Sequence, residues 1–403
     1  MRILYDHQIY SLQRWGGISR YHTSLIQYLS REQDVEVMVS VRYSNNELLR
    51  SLKGEDSGNH SDYFGLETIT GGLSDKIRKN RILREIYKRF KGSRGKVGTP
   101  FTRPPAPFSI NQKFSVFLLE KGDFDIFHPT YYHPYFLPYL KNKPFVITIH
   151  DMIHEVYPEF FGPDPYITAW KRELALRANK IIAVSENTKK DILRFYDVSP
   201  DKISVIRHGY DDSLKIKMNT VYGKSSLAPY ILFVGKRDLY KNFYFFVMAV
   251  SKLLIDREIK LICVGGGKFS SLERHFLSSF GLSKLVKHVE ATEEELRHLY
   301  ENALCFVFPS IYEGFGLPIL EAFGNGCATA LSNIGVFKEV AGDAALYFEP
   351  KDRHSICDAI SMISEDETLR RSLIERGKKR VRTYTWEVAA QKTLDVYRSL
   401  LTK

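Results

Sequence analysis

Short apolar runs recur along the chain, each closed by glycine, proline or polar residues and followed by a helical spacing of apolar positions. In the first half the runs fall at 1–10, 35–43, 145–149, 180–184 and 202–206, and Val35, Val37, Val39 and Val41 alternate at period two. In the second half they fall at 230–234, 260–264 and 303–308. Runs this apolar read as strands buried on both faces of parallel sheets. Strands alternating with helices in two halves predict an α/β fold of two doubly wound Rossmann-like domains facing a cleft. The division expected is a first domain over 1–210, a linker over 211–228, a second domain over 229–385 and a closing helix over 386–403. The linker is placed where 218–226 turns polar and unpatterned.

The stretch around which the second half is organised is Ser310-Ile311-Tyr312-Glu313-Gly314-Phe315-Gly316-Leu317-Pro318-Ile319-Leu320-Glu321. The strand before it stops at Pro309, and Gly314 and Gly316 permit a tight turn. Pro318 suits the first turn of a helix opening at Leu317. A helix N-terminus under glycines offers free N–H groups to an anion. Ionised Glu313 and Glu321 beside it are acceptors for vicinal hydroxyls. Phosphate together with hydroxyls means a nucleotide or a nucleotide sugar, although an ordinary strand–turn–helix with solvated glutamates has the same local pattern.

Four other stretches carry candidate chemistry. After strand 230–234, Arg237 and Lys241 precede a helix; a guanidinium fork and a compact ammonium suit a diphosphate, or a cationic surface loop. His150 ends strand 145–149, where ligands of open α/β sheets sit. His154 follows four residues later, but His150 does not lie on a helix, so the pair does not fit a zinc helix. Gly16 and Gly17 turn a strand into a helix and allow either a plain turn or a close ligand approach. Tyr131, Tyr132, Tyr135 and Tyr139 among prolines suit sugar contacts or simple packing.

Composition narrows the partners. With 44% hydrophobic and 26% charged residues this is a globular chain. It lacks a long uninterrupted apolar run, and its N-terminus turns polar too early for a signal peptide, so a cytoplasmic protein is expected. Cysteines 263, 305, 327 and 357 are scattered and predict reduced, mostly buried thiols. The net charge of +11 is concentrated in a segment with Lys76, Arg78, Lys79, Arg81, Arg84, Lys88, Arg89, Lys91, Arg94 and Lys96. Apolar residues share one helical face there, which suggests either docking on an anionic membrane surface through 76–96 or a solvated helix. This segment lies in an insertion over about 44–107. No nucleic-acid module accompanies the charge, so nucleic acid is not an expected partner. Asp123 and Asp125 precede a short strand rather than following one, so they read as a strand N-terminus and not as a metal site.

The stretch 310–321 closely resembles the Glu-x7-Glu motif of the family 4 retaining glycosyltransferases with the GT-B fold, and the likeness runs on from Glu339 to Ala345. The resemblance implies transfer of a hexosyl unit from a nucleoside-diphosphate sugar (GDP-, UDP- or dTDP-linked) to a hydroxyl, with anomeric configuration retained and no metal or other cofactor. It implies that Arg237, Lys241, Gly16 and Gly17 approach the donor diphosphate, and that Glu321 holds the ribose. Val289, Glu290 and Ala291 would lie beside the base, and Gly314, Phe315, Gly316 and Leu317 beside the sugar. Glu313 and His150 would act at the reacting centre. The Gln-x-x-Gly-Gly-Ile-Ser-Arg-Tyr opening and the His-Asp-Met-Ile-His stretch look like bacterial polysaccharide mannosyltransferases, which favours GDP-mannose. The acceptor expected is a growing or lipid-linked glycan at the inner face of the membrane. The rival readings are a nucleotide-sugar epimerase of the same architecture and a non-catalytic protein that binds anionic surfaces.

Overall fold

The computed structural model describes residues 1–51, 106–161, 165–210, 229–237 and 239–401. The basic segment 76–96 and the linker 211–228 lie outside the described residues. Contacts divide the chain into two compact units: Met1–Thr148 with Glu173–Lys180 and Leu394–Lys403, and Ile149–Arg172 with Ile181–Thr393.

In the first unit β1 (Arg2–Tyr5) lies between β2 (Glu36–Val39) and β3 (Ile126–His128), all parallel. β4 (Val146–Ile149), which the unit boundary cuts after Thr148, begins beside β3 through a bridge between Phe127 and Phe145. The predicted strand 1–10 ends at Tyr5, because Asp6-His7-Gln8 breaks the apolar run and the helix Gln8–Leu12 follows. The predicted strand 35–43 shortens to Glu36–Val39, and the amides of Arg42 and Tyr43 donate instead to Oδ1 of Asn111 at 2.8 and 3.0 Å. Asp125 accepts from the amide of Arg2 at 2.7 Å, and Asp123 pairs with Lys121 at 2.7 Å, so both aspartates frame the start of β3.

The core of this unit contains a buried polar network. The hydroxyls of Tyr5 and Tyr397 are 2.6 Å apart, and Nδ1 of His128 lies 2.5 Å from the Tyr397 hydroxyl. Nε2 of His128 reaches Oγ1 of Thr148 at 2.9 Å, where the Tyr21 hydroxyl also arrives at 3.2 Å. Within this network the hydroxyls of Tyr5, Tyr397, Thr148 and Tyr21 and both ring nitrogens of His128 have a partner, as buried polar groups require.

In the second unit β5 (Lys180–Ala183), whose first residue the unit boundary cuts off, pairs in parallel with β6 (Ile203–Val205). A larger sheet comprises β7 (Tyr230–Val234), β8 (Lys260–Val264), β9 (Val286–Val289), β10 (Cys305–Phe308), β11 (Thr329–Ser332) and β12 (Leu346–Phe348). Its order is β12-β11-β10-β7-β8-β9, and every pair is parallel. The side-chain period of two divides each central strand between two cores. Tyr230, Leu232, Phe306 and Phe308 enter one; Ile231, Phe233, Cys305 and Val307 enter the other. Both faces are thus covered, as a parallel sheet demands. Cys263, Cys305 and Cys327 are buried free thiols, Cys357 is partly buried, and burial raises the pKa of each.

The chain runs outward from β7 through β8 to β9, then returns to place β10 on the other side of β7. That reversal is a topological switch point, where the carboxyl ends of neighbouring strands diverge and leave a crevice for a ligand.

Candidate functional site

Two loops leave the sheet at the switch point. The loop after β7 carries Arg237 and Lys241, and the loop after β10 carries Glu313. Nζ of Lys241 lies 2.5 Å from Oε1 of Glu313, and Oγ of Ser310 donates to the same oxygen at 2.7 Å. Lys241 and Glu313 are both largely buried. The amide of Ile311 donates to the carbonyl of Tyr240 at 2.9 Å, which ties the two loops together.

The helix Leu317–Gly324 begins as its sequence predicts, with Pro318 in the first turn. Its N-cap, Gly316, is left-handed at φ 112°, a conformation that disfavours any side chain. Glu321 projects from this helix and accepts from the Tyr300 hydroxyl at 3.2 Å. Phe315 is buried, with its ring 4.6 Å from that of His208.

Gly314 has a different reason to be glycine. A Cβ there would lie 1.7 Å from the carbonyl oxygen of His150. The Gly314 carbonyl accepts from Oγ of Ser185 at 2.7 Å and from Oγ1 of Thr188 at 3.2 Å. The structure therefore brings His150, at the carboxyl end of β4, against the backbone beside Glu313. His150 is buried and stacks on His208, ring centres 6.2 Å apart. Burial lowers the pKa of His208 to about 3, so its ring is neutral there. The sequence showed His208 only as the end of a strand; its place beside His150 and Phe315 is set by the fold.

Arg237 is buried and heavily engaged. Its Nε pairs with Oε1 of Glu273 at 2.5 Å. Its terminal nitrogens donate to the carbonyls of Gly265 and Gly267, both at 2.8 Å, and to Gly266 at 3.4 Å. Burial alone would push the Glu273 carboxyl up, but hydrogen bonds from Arg237 and Ser270 outweigh it and hold the group below its ordinary value. Lys236, Arg237, Tyr244, Gly266, Ser270 and Glu273 line a concavity of about 510 Å³. Sequence reasoning missed Glu273; its one local signal is the capping box it forms with Ser270.

Val289 ends β9, with Glu290 exposed and Ala291 partly buried after it. Gly16 and Gly17 belong to the first unit, where Gly16 caps the helix Gly17–Leu29 and its carbonyl accepts from Oγ of Ser19 at 3.0 Å. The other residues predicted to meet the donor or the reacting centre lie in the second unit, while Tyr131, Tyr132, Tyr135 and Tyr139 belong to the first.

Residues 15–214 match the model of Glycosyltransferase Family 4, and residues 217–380 match Glycosyl transferases group 1. The O-antigen chain mannosyltransferase B of Escherichia coli is 28% identical over 281 residues, which is 66% of this chain and 73% of that protein. The O-antigen chain mannosyltransferase RfbU of Salmonella typhimurium is 30% identical over 229 residues, 57% of this chain and 63% of that one. The crystal structure of Anabaena Alr3699/HepE in complex with UDP and glucose superposes with TM-score 0.71 at 15% identity, covering 99% of this chain and 100% of that one. With the two family models matched one after the other, and the paired loops standing at the switch point of the second sheet, the chain belongs to the family 4 glycosyltransferases and is a hexosyltransferase of the GT-B fold, built from two Rossmann-like domains.

Proposed function

We propose that this glycosyltransferase moves a mannosyl unit from GDP-mannose to a hydroxyl of a growing or lipid-linked glycan in bacterial surface polysaccharide synthesis, with retention at the anomeric carbon. The observation that carries the reading is the Lys241–Glu313 pair at the switch point. As the anomeric bond breaks, negative charge grows on the leaving diphosphate and positive charge on the sugar. An ammonium and a carboxylate held beside each other answer both.

In this reading Lys241, Arg237 and the amides from Gly314 to Leu317 meet the diphosphate, with Gly16 and Gly17 approaching it from the first domain. Glu321 accepts from the ribose hydroxyls, and residues 289–291 border the base. Glu313 holds sugar hydroxyls and supports the anomeric carbon, while His150 orients the sugar and leaving group. The leaving phosphate helps deprotonate the acceptor, and the charge is met by protein groups without a metal. First-domain residues within 1–210 serve the acceptor, and 229–385 the donor. The mannosyltransferase relatives support the choice of sugar. The UDP and glucose bound by Alr3699/HepE support a nucleotide-sugar donor more generally. Segment 76–96 is proposed to dock on an anionic membrane at the cytoplasmic face; among the described residues no helix is long and apolar enough to cross one.

A thermal-shift screen against GDP, UDP, dTDP, ADP and CDP tests the donor. A nucleotide at ~100 times its dissociation constant stabilises the folded chain by about 2.7 kcal/mol. A selective shift with GDP, followed by an α-mannoside product by NMR, is the expected result. A selective shift with UDP or dTDP would replace mannose as the donor sugar.

A further inference from the structure

The loop that carries Glu313 is held on both sides by groups outside the reaction assigned to it. On the near side the hydroxyl of Tyr312 donates to Oδ2 of Asp191 at 2.7 Å. The same hydroxyl accepts from the amide of Met152, two residues after His150, at 3.2 Å. On the far side the carbonyl of Gly314 accepts from Ser185 and Thr188. Ser185 and Asp191 belong to one helix, Glu186–Phe195: Ser185 caps it through the amide of Thr188 at 3.0 Å, and Asp191 lies within it. One helix thus grips the residues immediately before and after Glu313.

Tyr312 is buried, so its hydroxyl is desolvated and worth more as a tether than the same bond in water. Asp191 is fixed in turn by Nδ2 of Asn187 at 3.2 Å, and burial raises its pKa. From these contacts we infer that Tyr312 and Asp191 are positioning residues: a single hydroxyl, bound to Asp191 and to the backbone after His150, sets the distance between His150 and Glu313. The inference rests on the reading that His150 and Glu313 act on the donor sugar. A displacement of about 1 Å at a reacting group can cost on the order of 100-fold in rate. The tether therefore appears in turnover rather than in donor affinity.

The test uses the full chain and four variants: Tyr312→Phe, Asp191→Ala, Asp191→Asn and Glu313→Gln. Two readouts are taken. The first is hydrogen exchange of the peptide covering 309–317. The second is kcat and KM for release of nucleoside diphosphate from GDP-mannose and from UDP-glucose, normalised to folded protein. Tyr312→Phe and Asp191→Ala should each speed exchange roughly 10-fold and lower kcat about 10- to 100-fold, with donor KM within about 3-fold of wild type. Asp191→Asn keeps an acceptor for the Tyr312 hydroxyl and should restore both readouts. Glu313→Gln keeps an amide oxygen for Lys241 and Ser310, so it should lose kcat while speeding exchange less than Tyr312→Phe does. Unchanged exchange in Tyr312→Phe, or faster exchange with undiminished kcat, overturns the inference. Full kcat in Glu313→Gln overturns the assignment of Glu313 instead, and exchange still decides whether the tether exists. Should neither donor turn over, exchange in the Tyr312 and Asp191 variants settles the matter alone.

Discussion

The ammonium of Lys241 and the carboxylate of Glu313 meet at 2.5 Å although 72 residues separate them in sequence. They come from the two loops that part at the reversal between β7 and β10. Each is largely desolvated, so removing one strands the other. Lys241→Met should reduce kcat/KM for the donor by roughly 100-fold, the order found when one stabilising donor is removed. Lys241→Met combined with Glu313→Gln should fall short of the product of the single losses, because residues in contact couple. Steady-state kinetics on the four proteins of this cycle measures the coupling; strict additivity would show that the pair acts separately.

Gly314 is the tightest glycine of the site. Its would-be Cβ meets the backbone oxygen of His150, which cannot rotate away as a side chain could. Gly314→Ala should therefore force β4 and the Glu313 loop apart and abolish turnover, with a loss of stability of about 1–3 kcal/mol from overpacking. Urea unfolding together with kcat measures both, and an active Gly314→Ala enzyme would show that this contact is not needed.

Arg237 and Glu273 form a buried pair whose arginine also satisfies three glycine carbonyls. Deleting one member of such a pair leaves an uncompensated charge and costs about 3–5 kcal/mol. Glu273→Ala adds the loss of a capping box, about 1 kcal/mol. Chemical denaturation should find Glu273→Ala at least as unstable as Arg237→Ala, although glutamate lies outside the set assigned to the diphosphate. The reverse order would mean that the glycine carbonyls, not the carboxylate, dominate the hold on Arg237.

Burial lowers the pKa of His7, His128 and His208 to about 3, against an ordinary value of 6.5. Their folded forms stay neutral while the unfolded chain takes up protons below about pH 6.5. The stabilisation from each is complete above that pH and is lost as pH falls toward 3, at up to about 1.4 kcal/mol per pH unit. Urea midpoints should hold steady from pH 8 to 7 and decline from 6.5 to 5. A midpoint independent of pH over the lower range would mean that these rings are protonated in the folded state.

The features legible in the sequence are those with a local signature. The strand over 230–234, the cap at Ser185, the turn at Gly316 and the proline-led helix after it each follow from the residues on the spot. The Glu-x7-Glu spacing belongs to the same class. What could not be read is long-range pairing: Arg237 with Glu273, Tyr312 with Asp191, Gly314 with His150. Nothing beside Arg237 says that its fork will be taken by carbonyls 28 to 30 residues away. The strand predicted over 35–43 exceeds the observed Glu36–Val39 for the same reason, because the group that takes over its amides, Asn111, lies in the distant helix Ala106–Lys121.

The buried contact of Tyr5 with Tyr397 spans 392 residues. On the ribosome, chains generally fold from the N-terminal side as they emerge. Here β1 is made long before Tyr397, so its core stays unfinished until synthesis has run past Leu394. Through that interval Tyr5 and His128 have no Tyr397 to bind, although the large sheet of the second unit is already translated. The first unit therefore includes a segment that is made only after the whole of the second sheet.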